Sequence, residues 1–195
     1  MNRIAELKRV TKETDISIKL NLDGSGKSDV DTGIGFFDHM LQGFAKHGLF
    51  DLELKVKGDL YVDSHHTIED TGIVLGTAIK EAVGDKAGIK RYGSFLLPMD
   101  ETLVMCGIDL SGRPYYVADF SFKNDMMGSM DTCMVNEFFY AVSYSAMMNL
   151  HFLQMRGNND HHICEAAFKA LAKSLDMAVQ YDNRIDGVLS TKGTI

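Results

Sequence analysis

The chain is 195 residues long, 45% apolar and 24% charged, the profile of an ordinary globular protein with room for one well-packed domain. A net charge of −7 argues against nucleic acid or an anionic membrane as the main partner, and no run approaches the roughly 18 apolar residues of a membrane span. Cys106, Cys133 and Cys164 are widely spaced with no Cys-x-x-Cys pair, so they read as buried small hydrophobes in a reducing compartment. The opening Met1–Arg9 offers no apolar leader core, and a cytoplasmic protein is expected.

In chain order, residues 3–22 alternate around Thr14 and continue as Ile16-Ser17-Ile18-Lys19-Leu20, the pattern of a strand. Leu22-Asp23-Gly24-Ser25-Gly26 is a turn. The run Gly24-Ser25-Gly26-Lys27-Ser28 imitates the end of a P-loop, but Asn21 stands where the first glycine is required, and a hairpin turn is the better reading. The spacing of Phe36, Phe37, Met40, Leu41 and Phe44 predicts a helix ending at His47-Gly48, with the glycine as C-cap. Leu52-Glu53-Leu54-Lys55-Val56 alternates as a half-buried strand, and a helix follows through Ile73, Leu75, Ala78, Ile79 and Val83 to Gly84.

The second half repeats this order. Thr102 to Leu110 and Tyr115 to Phe122 read as strands around Ser111-Gly112-Arg113-Pro114, Val135 to Met148 as a helix, and Leu150 to Gln154 as a strand. A last helix runs through Phe168, Leu171 and Leu175, and the methionines between Met126 and Met148 read as core filler and loop. Laying Leu52-Glu53-Leu54 on Leu150-His151-Phe152 puts His39 over Glu137, each on the preceding helix. This points to an internal duplication: one domain, 1–195, of two pseudo-repeats at about 1–94 and 95–195, each a small sheet with helices on one face.

The last helix of each repeat opens on the same cassette. Asp63-Ser64-His65-His66-Thr67-Ile68-Glu69 returns as Asn159-Asp160-His161-His162-Ile163-Cys164-Glu165. On a helix His65 and Glu69 share a face, while the two adjacent histidines point about 100° apart. They cannot easily serve one ion together, but they can serve two, so a dinuclear site is expected. Imidazole plus carboxylate without thiolate suits Mn, Fe or Zn, and the carboxylates tilt the set toward the harder Mn²⁺. His39 is a fifth candidate ligand, with an exposed polar residue as its bland alternative. His47, at a helix end, and His151, alternating outward in a strand, read as structural. The order His-x-x-Glu differs from His-Glu-x-x-His and gives no support to a zinc protease.

Arg91, Arg113, Lys169 and the closing Ser190-Thr191-Lys192-Gly193 are each ordinary surface groups alone, but together they are the kind of residues that clamp a phosphate.

Arg9-Val10-Thr11-Lys12-Glu13-Thr14, Gly35-Phe36-Phe37-Asp38-His39-Met40-Leu41, His47-Gly48-Leu49-Phe50, both cassettes, Leu110-Ser111-Gly112-Arg113-Pro114 and Ser190-Thr191-Lys192-Gly193 resemble the imidazoleglycerol-phosphate dehydratase family over essentially the whole chain. The resemblance implies an α+β fold, a duplicated ribosomal protein S5 domain 2-like unit in which two four-stranded sheets sandwich a helical layer. It implies dehydration of imidazole glycerol phosphate to imidazole acetol phosphate in histidine biosynthesis, two Mn²⁺ per active site, and a homo-oligomer of 24 subunits with shared sites. Carried over by residue, it makes His39, His65, His66, Glu69, His161, His162 and Glu165 the metal ligands. It makes Arg91, Arg113, Lys169, Ser190 and Lys192 the phosphate contacts, and Glu13 an acidic group near the reacting hydroxyls. Glu137 stands where many relatives have histidine, so its ligand role is open. The segment Phe122 to Thr132 resembles the family least.

The implied reaction takes a proton from a carbon that is not ordinarily acidic and a hydroxyl from its neighbour. Glu165 is the first candidate for proton transfer and Glu13 the second. Two other readings compete. Asp160-His161-His162 resembles the Asp-His-His signature of Mn-dependent phosphoesterases, although the chain has no Asp-x-Asp. A non-catalytic metal-binding assembly protein would leave Glu13 and the basic residues without a purpose.

Overall fold

The computed structural model describes residues 3–195; Met1 and Asn2, at the start of the leader reading, lie outside the described residues. The first half contains β1 (Ile4–Val10), β2 (Thr14–Asn21), β3 (Ser28–Asp31), α1 (Gly35–Gly48), β4 (Asp51–Gly58) and α2 (His65–Val83). The second contains β5 (Tyr92–Met99), β6 (Thr102–Asp109), β7 (Tyr115–Asp119), the short pair β8 (Met126–Met127) and β9 (Met130–Asp131), α3 (Met134–Ala146), β10 (Asn149–Arg156) and α4 (Asp160–Val179). The first sheet has the order β1-β2-β4-β3 and the second β5-β6-β10-β7. In both, the first two pairings are antiparallel and the last is parallel.

Alternation buries one face of each sheet. Ile16, Ile18, Leu52 and Leu54 point inward from the first, and Val104, Cys106, Leu150 and Phe152 from the second. The four helices lie between these faces. α2 packs on β1 and β2, α4 packs on β5 and β6, and the layer closes where α2 meets α3 and α1 meets α4. Phe138 and Phe168 stack at 5.1 Å in its centre, with Phe37 edge-on to Phe138 at 5.2 Å. Gly76 lets α2 press on α3, since a Cβ there would stand 2.5 Å from the Val142 carbonyl oxygen. The outer sheet faces differ. Glu6, Lys19, Glu53 and Lys55 leave the first one charged, whereas Leu96, Met105, Tyr115, Val117 and Leu153 are exposed on the second.

Several expectations are corrected. The strand read over residues 3–22 is a hairpin, because Thr11 Oγ1 accepts the Glu13 and Thr14 N–H groups at 3.1 and 2.9 Å and turns the chain at Lys12-Glu13. The loop at Gly24–Ser28 is not a hairpin turn: it joins β2 to β3, which have β4 between them. Asp51 Oδ1 organises that loop by accepting from the Ser25 and Lys27 N–H groups. The left-handed residue ending α1 is Leu49, φ 58°, and Gly48 is instead a close-approach site, where a Cβ would stand 2.2 Å from the Phe50 ring. β7 ends at Asp119 rather than running to Phe122. Cys106 and Cys164 are buried as read, with burial pushing the Cys106 thiol up to about 12, but Cys133 is exposed at the start of α3.

Candidate metal and anion site

The second cassette begins α4. Asn159 accepts from the His161 and His162 N–H groups and fixes the first turn. One turn on, Glu165 Oε2 lies 3.1 Å from His161 Nε2, and His39 Nε2 on α1 reaches the same oxygen at 3.7 Å. Donor atoms of His39, His161 and Glu165 all lie within 4.8 Å of one another, the only such trio of metal-ligating side chains among the described residues. Lys169 Nζ holds the other oxygen, Oε1, at 2.7 Å. Burial alone would raise the Glu165 carboxyl, but Lys169, then His39 and His161, outweigh it and hold it below the usual range. A hard ion bound octahedrally at about 2.1 Å sets neighbouring ligand atoms roughly 3 Å apart, so this trio fits one with small side-chain shifts.

The first cassette is arranged differently. His65 Nε2 lies 3.5 Å from Glu69 Oε2 on the same face of α2. His66 Nδ1 is held by Asp59 at 3.0 Å, and its Nε2 faces Glu13 Oε1 at 3.8 Å. In the second cassette His162 Nδ1 is held by Glu101 at 2.8 Å, with Asp100 3.8 Å from Nε2. Hydrogen bonding to Asp59 raises the His66 pKa, and bonding to Glu101 raises that of His162. In return the His162 ring brings the Glu101 carboxyl down to about 2, with the Asn158 and Asn159 N–H groups adding to the effect. The adjacent rings stand 74° apart in one cassette and 85° in the other, so each pair faces two directions.

Asp59 and Glu101 are the site residues that sequence reasoning missed, because neither belongs to a motif. Among the described residues no ligand trio gathers around Glu137, which lies on exposed α3 surface near Tyr140, where Glu69 is also felt. His47 lies in the last turn of α1, as read, and partial burial and the Lys169 charge lower its pKa. His151 points outward and stacks on Tyr115, as read.

The basic residues gather elsewhere. Arg91, Arg113, Ser190 and Lys192 line a cleft of about 740 Å³, joined by Arg184. Arg91 makes a bidentate pair with Asp109 at 2.7 and 3.0 Å and donates to the Leu189 carbonyl, holding the C-terminal segment over the cleft. Lys169 is not part of this group: within the chain it pairs with Glu165 at the other end of α4. The Arg91 N–H bonds Ala178 at the far end of α4, so roughly 25 Å of helix, at 1.5 Å per residue, separates the cleft from His161. Beside His161, Asp160 anchors the β8–β9 excursion through the Lys123 and Asn124 N–H groups.

A protein-family model described as imidazoleglycerol-phosphate dehydratase matches residues 32–175. The chain is 68% identical over its full length, and over the full length of the relative, to the imidazoleglycerol-phosphate dehydratase of Lachnoclostridium phytofermentans. Among solved structures it is similar to that dehydratase from Staphylococcus aureus, with a TM-score of 0.83 and 37% identity, covering 92% of this chain and 99% of that one. The Pyrococcus furiosus enzyme, solved in complex with (S)-C348, gives a TM-score of 0.84 and 35% identity, covering 97% and 100%.

Proposed function

The chain belongs to the imidazoleglycerol-phosphate dehydratase family, and from that premise we propose that it dehydrates imidazole glycerol phosphate to imidazole acetol phosphate, in histidine biosynthesis, with two Mn²⁺ ions per active site. The observation that carries the metal part is the His39–His161–Glu165 trio. His65, His66, Glu69 and His162 complete the ligand set, with Glu137 a further candidate. When bound, Mn²⁺ supplies stabilisation for negative charge developing on the imidazole ring as water leaves.

The chain's own groups do the rest. The reaction breaks one C–H and one C–O bond, and the proton and hydroxyl leave as water. Glu165 is the first candidate to take the proton, at a carboxylate oxygen kept ionised by Lys169. Glu13, exposed and 3.8 Å from His66 Nε2, is the freer carboxylate and the candidate for protonating or positioning the departing hydroxyl. Arg113, Ser190 and Lys192 bind the phosphate, with Arg91 bracing the cleft through Asp109 and Leu189.

The same reading makes the protein a homo-oligomer of 24 subunits with shared sites. The separation along α4 supports it, because a small substrate cannot span from one chain's cleft to the same chain's trio. Lys169 then serves phosphate brought by a neighbouring chain. The apolar outer face of the second sheet supports burial against another copy. Identical strand orders support two pseudo-repeats in one domain, with the boundary better set before β5 than at residue 94, which lies inside that strand. No helix among the described residues is long and apolar enough to cross a membrane. A cytoplasmic location belongs to the same proposal, and the net charge of −7 supports a role without nucleic acid.

The test is incubation of Mn²⁺-loaded and chelator-stripped protein with imidazole glycerol phosphate, following the enolising ketone product. Ketone formed only by the loaded protein is expected. Phosphate release without ketone would sink the reading in favour of hydrolysis.

A further inference from the structure

The turns of the two hairpins at the sheet edges carry the same residue at the same place. A shift of 88 residues lays the β1–β2 register on that of β5–β6, Ile4↔Asn21 on Tyr92↔Asp109 and Val10↔Asp15 on Pro98↔Leu103. It also lays Glu13 on Glu101. Both glutamates approach the second histidine of their own half's cassette, but they meet different nitrogens. Glu13 faces Nε2 of His66, whose Nδ1 is already taken by Asp59. Glu101 takes Nδ1 of His162 with Oε2, while its Oε1 accepts from the Asn158 and Asn159 N–H groups at 3.3 and 3.0 Å. Asn159 in turn caps α4 at His161 and His162. One carboxylate therefore ties the imidazole to the cap of the helix that carries it.

We infer that Glu101 is a positioning residue for metal binding through His162, doing for the second cassette what Asp59 does for the first. A carboxylate only accepts, so Nδ1 carries the ring proton and the Nε2 lone pair is left for the ion. The same bond fixes the ring plane before the ion arrives, and such outer partners are worth on the order of 10- to 100-fold in metal affinity. The divergence of the two turn glutamates follows: Asp59 leaves Glu13 free for its proposed part at the reacting hydroxyls, and among the described residues no equivalent group frees Glu101. The inference rests on the two-metal reading above.

The experiment is calorimetric titration of Mn²⁺ into chelator-stripped, assembled protein, with thermal melts of the metal-free proteins beside it. Glu101→Gln can keep an oxygen on the cap N–H groups but turns an amide NH₂ toward Nδ1, favouring the wrong tautomer. It is expected to weaken Mn²⁺ binding on the order of tenfold with little change in the metal-free melt. Asn159→Ala, which loosens the cap and leaves Nδ1 alone, is expected to lower the melting temperature with a smaller loss of affinity. A Glu101→Gln affinity within about twofold of wild type overturns the inference. A wild-type protein that takes up no Mn²⁺ overturns the metal reading and the inference with it, and the wild-type titration tells the two failures apart.

Discussion

The Arg91 N–H donates to the Ala178 carbonyl at 2.9 Å, and that bond pins the basic cleft to the end of α4 opposite His161. On the shared-site proposal, a neighbouring chain's cleft brings anion binding to the histidine trio. Mixed assemblies test this directly. His161→Asn and Lys192→Ala proteins are each expected to be nearly inactive at low substrate concentration. Dissociated and reassembled together in equal amounts, they should recover about a quarter of wild-type sites, since half of the trios and half of the clefts are intact and pair at random. No recovery above the separate proteins would show that both halves of the site come from one chain.

Lys192→Ala alone is expected to raise KM more than it lowers kcat, because the proposed role gives the exposed ammonium the phosphate to bind and not the bonds that break. Steady-state kinetics over a wide substrate range would check this, and an unchanged KM would make Lys192 an ordinary surface charge.

Glu165→Gln keeps the size of the side chain and removes the charge that Lys169, His39 and His161 share. Turnover should fall on the order of 100-fold or more with Mn²⁺ occupancy confirmed. Near-wild-type turnover at full occupancy would take Glu165 out of proton transfer.

Gly76→Ala sets two effects against each other. Alanine is the better helix former by about 1 kcal/mol. The new methyl would sit 2.5 Å from the Val142 carbonyl oxygen and 2.8 Å from Ser145 Cβ, so α2 and α3 must part. Overpacking of this kind costs about 1–3 kcal/mol and should win, lowering the melting temperature by several degrees.

Asp51 is held below its ordinary 3.8, first by the Ser25 N–H and then by that of Lys27. A depressed carboxyl gives stability that is complete above its ordinary value and lost as pH falls through the depressed one. Asp51→Asn should therefore be less stable than wild type at neutral pH, and the gap should close as unfolding is measured at progressively lower pH below 3.8.

Helical periodicity made α1, α2, α3 and α4 legible, and the paired cassettes stood out because helix spacing alone puts His161 over Glu165. The edge strands were harder. β3 is four residues with only Val30 half-buried, and β5 carries apolar side chains toward both faces, Leu97 inward and Leu96 outward. Neither shows the alternation that a one-sided strand leaves in a sequence. Glu101 is 61 residues from His162, and no local spacing encodes that meeting; only the register of β5 on β6 brings it about. Lys169 was legible as a basic residue one turn past Glu165, but its pairing with that carboxylate needed the helix surface.

His39 and Glu165 come from opposite halves of the chain and meet across the α1–α4 contact. A half-length chain could make that meeting only by finding another molecule, at a rate and occupancy set by its own dilution. Joined in one chain, the partners face each other at an effective concentration on the order of millimolar or above. This corner of the site therefore forms as each chain folds, however scarce the protein is in its surroundings.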